Sequence, residues 1–339
     1  MKDYLLVKRL KIENANMVAG LTWGFPAVSQ FLGFTHALDR KLRQDDLSVP
    51  VLLGGCAVIC HKHQPHSKAD NYGSHHFSLT RNPLTKEGNT APFNEEGRMH
   101  LEVSLLIEMN MTLDAFYEKL GREDILDEQN QEPFFLSSIE RALGTSRVAG
   151  GVCVGHDSCE VIKLEGDSIE TRRKTKRVLF NLLPGFALID RSDLLQVHHE
   201  ALIEHNNQAS FIGAWMDFGG LRHRYFQSPE QETNEDSDEP AKGEWQRVEL
   251  PEQGWFVPIL TGYQPIAPLQ APGSVKGSRD SSCPSCAVEG VYGVGQWLAP
   301  YRAEQIDTLI WRYRNDEHGY HFYNAGRSNG QENSEVAES

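Results

Sequence analysis

From His100 to Met109 the side chains alternate with a period of two. Leu101, Val103, Leu105, Ile107 and Met109 point one way, while His100, Glu102, Ser104 and Glu108 point the other. Only an extended strand separates residues in this manner, so the stretch commits the chain to a sheet with one buried face. Tyr4 to Glu13 alternates as well, placing Leu6, Leu10 and Ile12 on one side and Arg9, Lys11 and Glu13 on the other. Val51 to Cys60 is a continuous apolar run with two glycines and reads as a buried strand. Arg147 to Val154, RVAGGVCV, reads as a short strand containing glycine.

Helical spacing fills the gaps between these strands. Leu21 to Arg43 opens with the stiff turn Trp23-Gly24-Phe25-Pro26, and proline suits a first helical position. Val28, Phe31, Leu32, Leu38 and Leu42 then form one apolar stripe, with Ser29, Gly33, His36, Arg40 and Arg43 on another face. Two further helical patches surround Leu113 to Leu120 and Phe134 to Leu143. The order is strand, helix, strand, long insertion, strand, helix, strand. This predicts an α+β chain with the split βαββαβ pattern of ferredoxin-like or RNA-recognition folds. Such a sheet packs its helices on one face and leaves the other open, where single-stranded RNA often lies. Arg9 and Lys11 suit that open face; Glu102 and Glu108 do not.

The expected organisation is a core over residues 1–155 with an insertion at 62–99, then an irregular extension over 156–325 packed on it. Within the extension, Thr171 to Leu183 is basic and then apolar, Phe186 to Ile189 is strand-like, and Arg191 to His205 looks helical. Gly254 to Pro268 reads as a loop and strand, and Gln296 to Tyr313 as a late helix. Gln227 to Gly243, acidic and poor in apolar residues, is expected to be disordered, as is the tail 326–339.

The formal charge of −14 argues at first against a polyanionic partner. It is unevenly spread: Glu230 to Glu252 holds nine acids, whereas Arg172, Arg173, Lys174, Lys176 and Arg177 crowd together. Local patches decide nucleic-acid contact, so net charge excludes little. No apolar run approaches the ~20 residues that span a bilayer, and MKDYLLVKRLKIE does not read as a signal peptide. Six sparse cysteines suit reduced thiols in a cytoplasm.

Phosphate-binding G-x-x-x-x-G-K-[ST], dinucleotide-binding G-x-G-x-x-G and hydrolase G-x-S-x-G motifs are absent. Cys283-Pro-Ser-Cys286 lacks the second pair of a zinc ribbon, and the histidines crowding the insertion (His61, His63, His66, His75, His76) read as loop. No metal and no cofactor are expected. The sharpest catalytic alternative is a metal-independent ribonuclease, with His36 as general acid or base.

Several motifs in order resemble the Csy2 family, the Cas5-like subunit of the type I-F CRISPR surveillance complex. They are Asn14-Ala15-Asn16, LTWGFP (21–26), FTHAL (34–38), FSLTRNPL (77–84), EEGRMHLEVSLLIE (95–108), RVAGG (147–151), LLPGFAL (182–188), GWFVPILTGY (254–263) and GVGQWLAPYR (293–302). The resemblance runs from about Tyr4 to Tyr313. It implies a non-catalytic cytoplasmic protein with a ferredoxin-like core that grips the 5-prime handle of a guide RNA (crRNA). Its implied partners are the large subunit, the first backbone subunit and, through the complex, target DNA. The matched motifs point to Asn14, Asn16 and Trp23 at the first turn, and to His36 and Arg40 on the first helix. They point also to Arg81 and Asn82 in a thumb-like insertion, to Arg98 before the third strand, and to Arg147, Gly150 and Gly151 at a glycine turn. Arg172, Arg173, Lys176 and Arg177 would supply phosphate contacts that do not depend on sequence.

Overall fold

The structure is a computed structural model that describes residues 2–44, 46, 48–77, 79–80, 84–90, 94–121, 128–164, 166, 168–205, 207–227, 243–278 and 280–324. Strand β1 (Lys2–Asn16) is followed by the small pair β2 (Val18–Ala19) and β3 (Thr22–Trp23), and by helix α1 (Val28–Leu42). Strand β4 (Leu53–Pro65) leads into a hairpin of β5 (Ser67–Ala69) and β6 (His75–Phe77). The pair β7 (Leu79–Thr80) and β8 (Asn94–Glu95) precedes β9 (Arg98–Met109). Helices α2 (Leu113–Lys119) and α3 (Glu128–Gly144) follow, then β10 (Arg147–Val148), β11 (Gly151–Gly155) and β12 (Ser158–Leu164).

The later half runs through α4 (Ile169–Phe180), β13 (Phe186–Asp190), α5 (Asp193–His205) and α6 (Phe211–Asp217). A separate ribbon, β14 (His223–Gln227) and β15 (Gly243–Arg247), precedes the long strands β16 (Trp255–Pro265) and β17 (Val288–Leu298). Two 3₁₀ turns, Pro300–Arg302 and Ile306–Leu309, lead to the closing hairpin β18 (Arg312–Asp316) and β19 (Gly319–Tyr323). The helix expected over Gln296 to Tyr313 is therefore a strand end, two short turns and a strand start. Its apolar residues Leu298, Ile306, Leu309 and Trp311 are buried one by one from irregular backbone, which mimics helical spacing.

One antiparallel sheet runs through both halves in the order β10–β11–β1–β9–β4–β13–β17–β16–β19–β18, with β12 also on β1. Both β11 and β12 lie on the outer edge of β1, against Lys11–Glu13 and Lys2–Lys8 respectively. Between them the ladder breaks at Arg9, where φ is +50° and the freed N–H donates to Ser104 Oγ at 3.0 Å. This bulge inverts the side-chain parity. Leu6 consequently faces the opposite core from Leu10 and Ile12, not the same one as simple alternation suggests.

Helices α1 and α3 cover one face of the sheet, over Leu5, Val7, Leu10, Ile12, Val103, Leu105 and Ile107. The second face is not open along its length. Tyr4, Leu6, Ala57, Ile59 and Leu106 are buried there beneath Val178 and Leu179 of α4 and Ile306 and Leu309 of the 3₁₀ turn. The half that stays accessible carries Lys11, Lys62, Gln64, His100 and Glu102. The two awkward glutamates are neutralised within the sheet. Glu108 holds Arg312 through Nε at 2.9 Å and Nη2 at 2.6 Å, and Glu102 faces Arg9 and Lys62 at 2.5 and 3.2 Å. Burial pushes the Glu102 carboxyl up, but Arg9 and Lys62 outweigh it and hold the group below its ordinary value.

Arg43, assigned by spacing to a wet face, is 4% exposed. Its Nε donates to Asp39 at 2.6 Å and its Nη1 to the Val49 carbonyl at 2.9 Å. The second Asp39 oxygen accepts from the N–H groups of Leu52 and Leu53 at 2.8 and 2.9 Å, which pins the end of α1 to the entry of β4. The far edge of the sheet then curls back. Cys56 and Trp311 exchange two backbone hydrogen bonds of 2.9 Å, and Trp311 Nε1 donates to the Leu188 carbonyl at 2.7 Å. A Cβ on Gly55 would lie 2.3 Å from the Trp311 carbonyl oxygen, so only glycine permits this approach.

Replacing Asp39 with Ala strands a buried guanidinium, and a loss of about 3–5 kcal/mol is expected in urea unfolding. Gly55→Ala forces backbone apart and should cost about 1–3 kcal/mol. Unfolding midpoints equal to that of the unaltered chain would contradict both assignments.

Candidate nucleic-acid interface

The end of β1 gathers the first set of expected residues. Asn14 sits at φ +55°, and its carbonyl accepts from Arg98 Nη1 at 3.3 Å. Asn16 donates its backbone N–H to Ala149 at 2.7 Å, while its side chain closes on Val18 through two hydrogen bonds of 2.9 and 3.1 Å. Its amide is thus spent on shaping the turn. Between β10 and β11, Ala149 and Gly150 have φ of +50° and +74°. Two successive left-handed residues make the tight hairpin turn that suits the twist of paired strands.

Gly151 is buried, because a Cβ there would lie 2.6 Å from the Glu13 carbonyl. It packs the hairpin on β1. Gly150 is exposed near Arg98, and Arg147 is exposed on the same hairpin. Arg98 is held against Glu96 at 2.5 Å. Trp23 is 46% exposed, with His75 and Phe77 of the β5–β6 hairpin each 5.5 Å from its ring. Asn14, Arg98, Arg147, Gly150 and Trp23 therefore form one surface, tied together by the Met17 N–H to the Gly97 carbonyl at 3.0 Å. Arg81 and Asn82 lie outside the described residues.

The remaining expected residues lie elsewhere. His36 is eight residues into α1, about 12 Å along its axis. It lines a cleft with Leu53, Arg312, Tyr313 and Tyr323, near the entry of β4. Arg40 is exposed one turn further on. On α4 the basic run divides, since residues four apart share a flank. Arg172 and Lys176 face a groove with Lys2, Glu108, Glu304 and Asp307. Arg173 and Arg177 face another with Lys8, Lys174, Glu160 and Glu170. The run is two patches of different charge balance.

Spacing gave no warning of a cleft of about 410 Å³ between the first turn and the later strands. Trp23, Phe25, Phe186, Trp255 and Trp297 line it, with His61 and His63 at one side. The aromatic residues of WGFP, GFAL, GWFVP and QWL were legible one at a time; that they converge depends on β13 and β17 pairing beside β4. His61 has a structural duty. The Pro184 carbonyl only accepts, so Nδ1 donates to it at 2.6 Å and Nε2 accepts from Ser104 Oγ at 2.7 Å. Burial holds this imidazole below its usual value, which suits the neutral tautomer.

The family model for CRISPR-associated protein (Cas_Csy2) matches residues 5–324. The chain belongs to the Csy2 family. It is 35% identical over 316 residues to CRISPR-associated protein Csy2 of Pseudomonas aeruginosa (strain UCBPP-PA14), covering 91% of this chain and 90% of that one. The Csy2 match spans both the surface at the end of β1 and the aromatic cleft. No described helix is long and apolar enough to cross a membrane.

All six cysteines of this Csy2 relative are free thiols. Burial raises Cys56, Cys60 and Cys159 to about 12 and Cys153 to about 11, so few are thiolates near neutral pH. Cys283 is exposed. Brief alkylation at pH 8 should therefore label Cys283 first, and mass spectrometry should find Cys56 modified only after unfolding.

Proposed function

We propose that this chain is a non-catalytic guide-RNA-binding subunit of a type I-F CRISPR interference complex, gripping the 5-prime handle of the crRNA. On this reading it docks the large subunit and the first backbone subunit while the complex surveys DNA in the cytoplasm. The observation that carries the reading is the Csy2 match along residues 5–324. The strand order β11/β12–β1–β9–β4, with α1 and α3 on one face, supports a ferredoxin-like core over roughly the first 155 residues. The β5–β6 hairpin standing on Trp23 supports the thumb. Arg98, Arg147 and the Gly150 turn offer cations and close backbone approach beside Asn14.

The two flanks of α4 differ as phosphate sites. The groove of Arg173 and Arg177 holds four cations against two carboxylates, whereas in that of Arg172 and Lys176 three cations face three carboxylates, two of which, Glu108 and Asp307, are shared with Arg312. Each phosphate contact with a single strand adds roughly 0.7 to the salt slope of binding. Arg173→Ala with Arg177→Ala should lower the slope by about 1.4, and Arg172→Ala with Lys176→Ala should lower it by less. Slopes in both double variants equal to that of the unaltered chain would remove α4 from the interface.

The deciding experiment is co-expression of the tagged chain with a repeat-spacer RNA and its candidate partner subunits. RNA of one length retained in a multi-subunit particle supports the assembly role. Cutting of the repeat by the chain alone, abolished by His36→Ala, supports the ribonuclease reading instead.

A further inference from the structure

The aromatic cleft holds rings that the core does not need to bury. Phe186 is 43% and Trp255 53% exposed, their centroids 5.3 Å apart at 75°. Trp255 also stands 6.1 Å from Trp297, which meets Phe25 edge-on at 4.9 Å. The outer rings thus rest on an inner aromatic layer that fixes their positions. Leu188, Val257, Ile259 and Leu260 complete an apolar wall. The cleft encloses about 410 Å³ between ring faces and aliphatic walls. A single flat ring system fits its walls and volume.

The rim supplies a second, independent observation. His63 borders both the cleft and the accessible half of the sheet, where Lys11, Lys62 and His100 lie. Three carboxylates face the same strip. Glu102 lies 3.2 Å from Lys62, Asp157 lies 3.8 Å from Lys11, and Glu13 lines the strip beside them. Each of the first two is matched by a lysine, and Arg9 also faces Glu102. Over the whole strip the three cations and three carboxylates balance, but Arg9 and Lys62 share Glu102 beside His63, so the end that meets the aromatic slot carries one cation in excess, the pairing that a phosphate backbone with a turned-out base requires.

We propose that this cleft takes one unstacked nucleobase of single-stranded RNA against Trp255 and Phe186, with the flanking phosphate over His63 and Lys62. The proposal rests on the RNA-binding reading above and places a base contact in a cleft whose wall includes Trp23, next to the Asn14–Arg98 surface. The slot presents ring faces and apolar walls, with few polar groups to read base edges, so it accepts different bases.

The test uses the full chain and a mixed-sequence single-stranded RNA oligonucleotide carrying one 2-aminopurine at successive positions. Anisotropy reads affinity, and 2-aminopurine quenching reads stacking. Trp255→Ala with Phe186→Ala should weaken binding about tenfold, abolish quenching at one position and leave the salt slope unchanged. Trp255→Phe keeps a ring and should retain most of the affinity, which separates stacking from misfolding. Trp245→Ala, removing a tryptophan 70% exposed on the separate β14–β15 ribbon that lines no part of the cleft, should change nothing. RNA bound equally well by the double variant with unaltered quenching would overturn the cleft proposal alone. Failure of the unaltered chain to bind any RNA would overturn this proposal together with the RNA-binding reading.

Discussion

The later half of the chain is held to the earlier half by a backbone contact that tolerates no side chain. At Gly55 the β4 backbone approaches the Trp311 carbonyl so closely that a single methyl group would collide with it. Trp311, wholly buried, anchors the contact from the other side through its indole N–H on β13. Because β18 returns to β4 here, β13, β17, β16 and β19 must curl between them rather than extend as a flat edge. The curl in turn brings Phe186, Trp255 and Trp297 beside the first turn. The aromatic cleft would not exist on an open sheet.

The strands and helices of the first half were largely legible because their periodicities are strong and local. The stripe of α1 corresponds to a single buried face, and the alternation at His100–Met109 separates two covered faces, one apolar and one carrying Glu102, Ser104 and Glu108. What escaped was set by irregularity or by distance. The bulge at Arg9 reversed the face of Leu6 and left no mark in the pattern of residue types. Arg43 looks like surface in any helical projection, yet Asp39, four residues earlier, makes it an interior pair. Gln296 to Tyr313 carries helical spacing in a segment that is strand, turn and strand, because Pro300 and the Trp311 bridge override local preference.

The expected site shows the same division. Residues close in sequence to the ends of β1 and β9 do come together, since the antiparallel register fixes where Asn16 meets Arg98. His36 and the α4 basics do not join them. The family motifs mark positions without saying which duties they serve, and Asn16 and Gly151 prove to be committed to shaping the turn and packing the hairpin. The acidic net charge is likewise uninformative about the interface, because Glu102 and Glu108 are consumed inside the sheet by arginines and a lysine.

The pairing scheme of β4 also bears on the order in which the molecule is made. All partners of β1 lie within the first 164 residues, so that ladder closes on itself once β12 has emerged from the ribosome. β4 is different: among the described residues its outer edge pairs only with Phe186–Ala187 and, much later, with Trp311. A nascent chain therefore carries a bare, apolar strand edge through synthesis of roughly the next 120 to 250 residues. Long-range closure of this kind is slow, and an unpaired edge invites intermolecular pairing meanwhile. Assembly of the finished fold is thus paced by its last strands, and a ribosome that stalls before residue 311 leaves a product prone to aggregate.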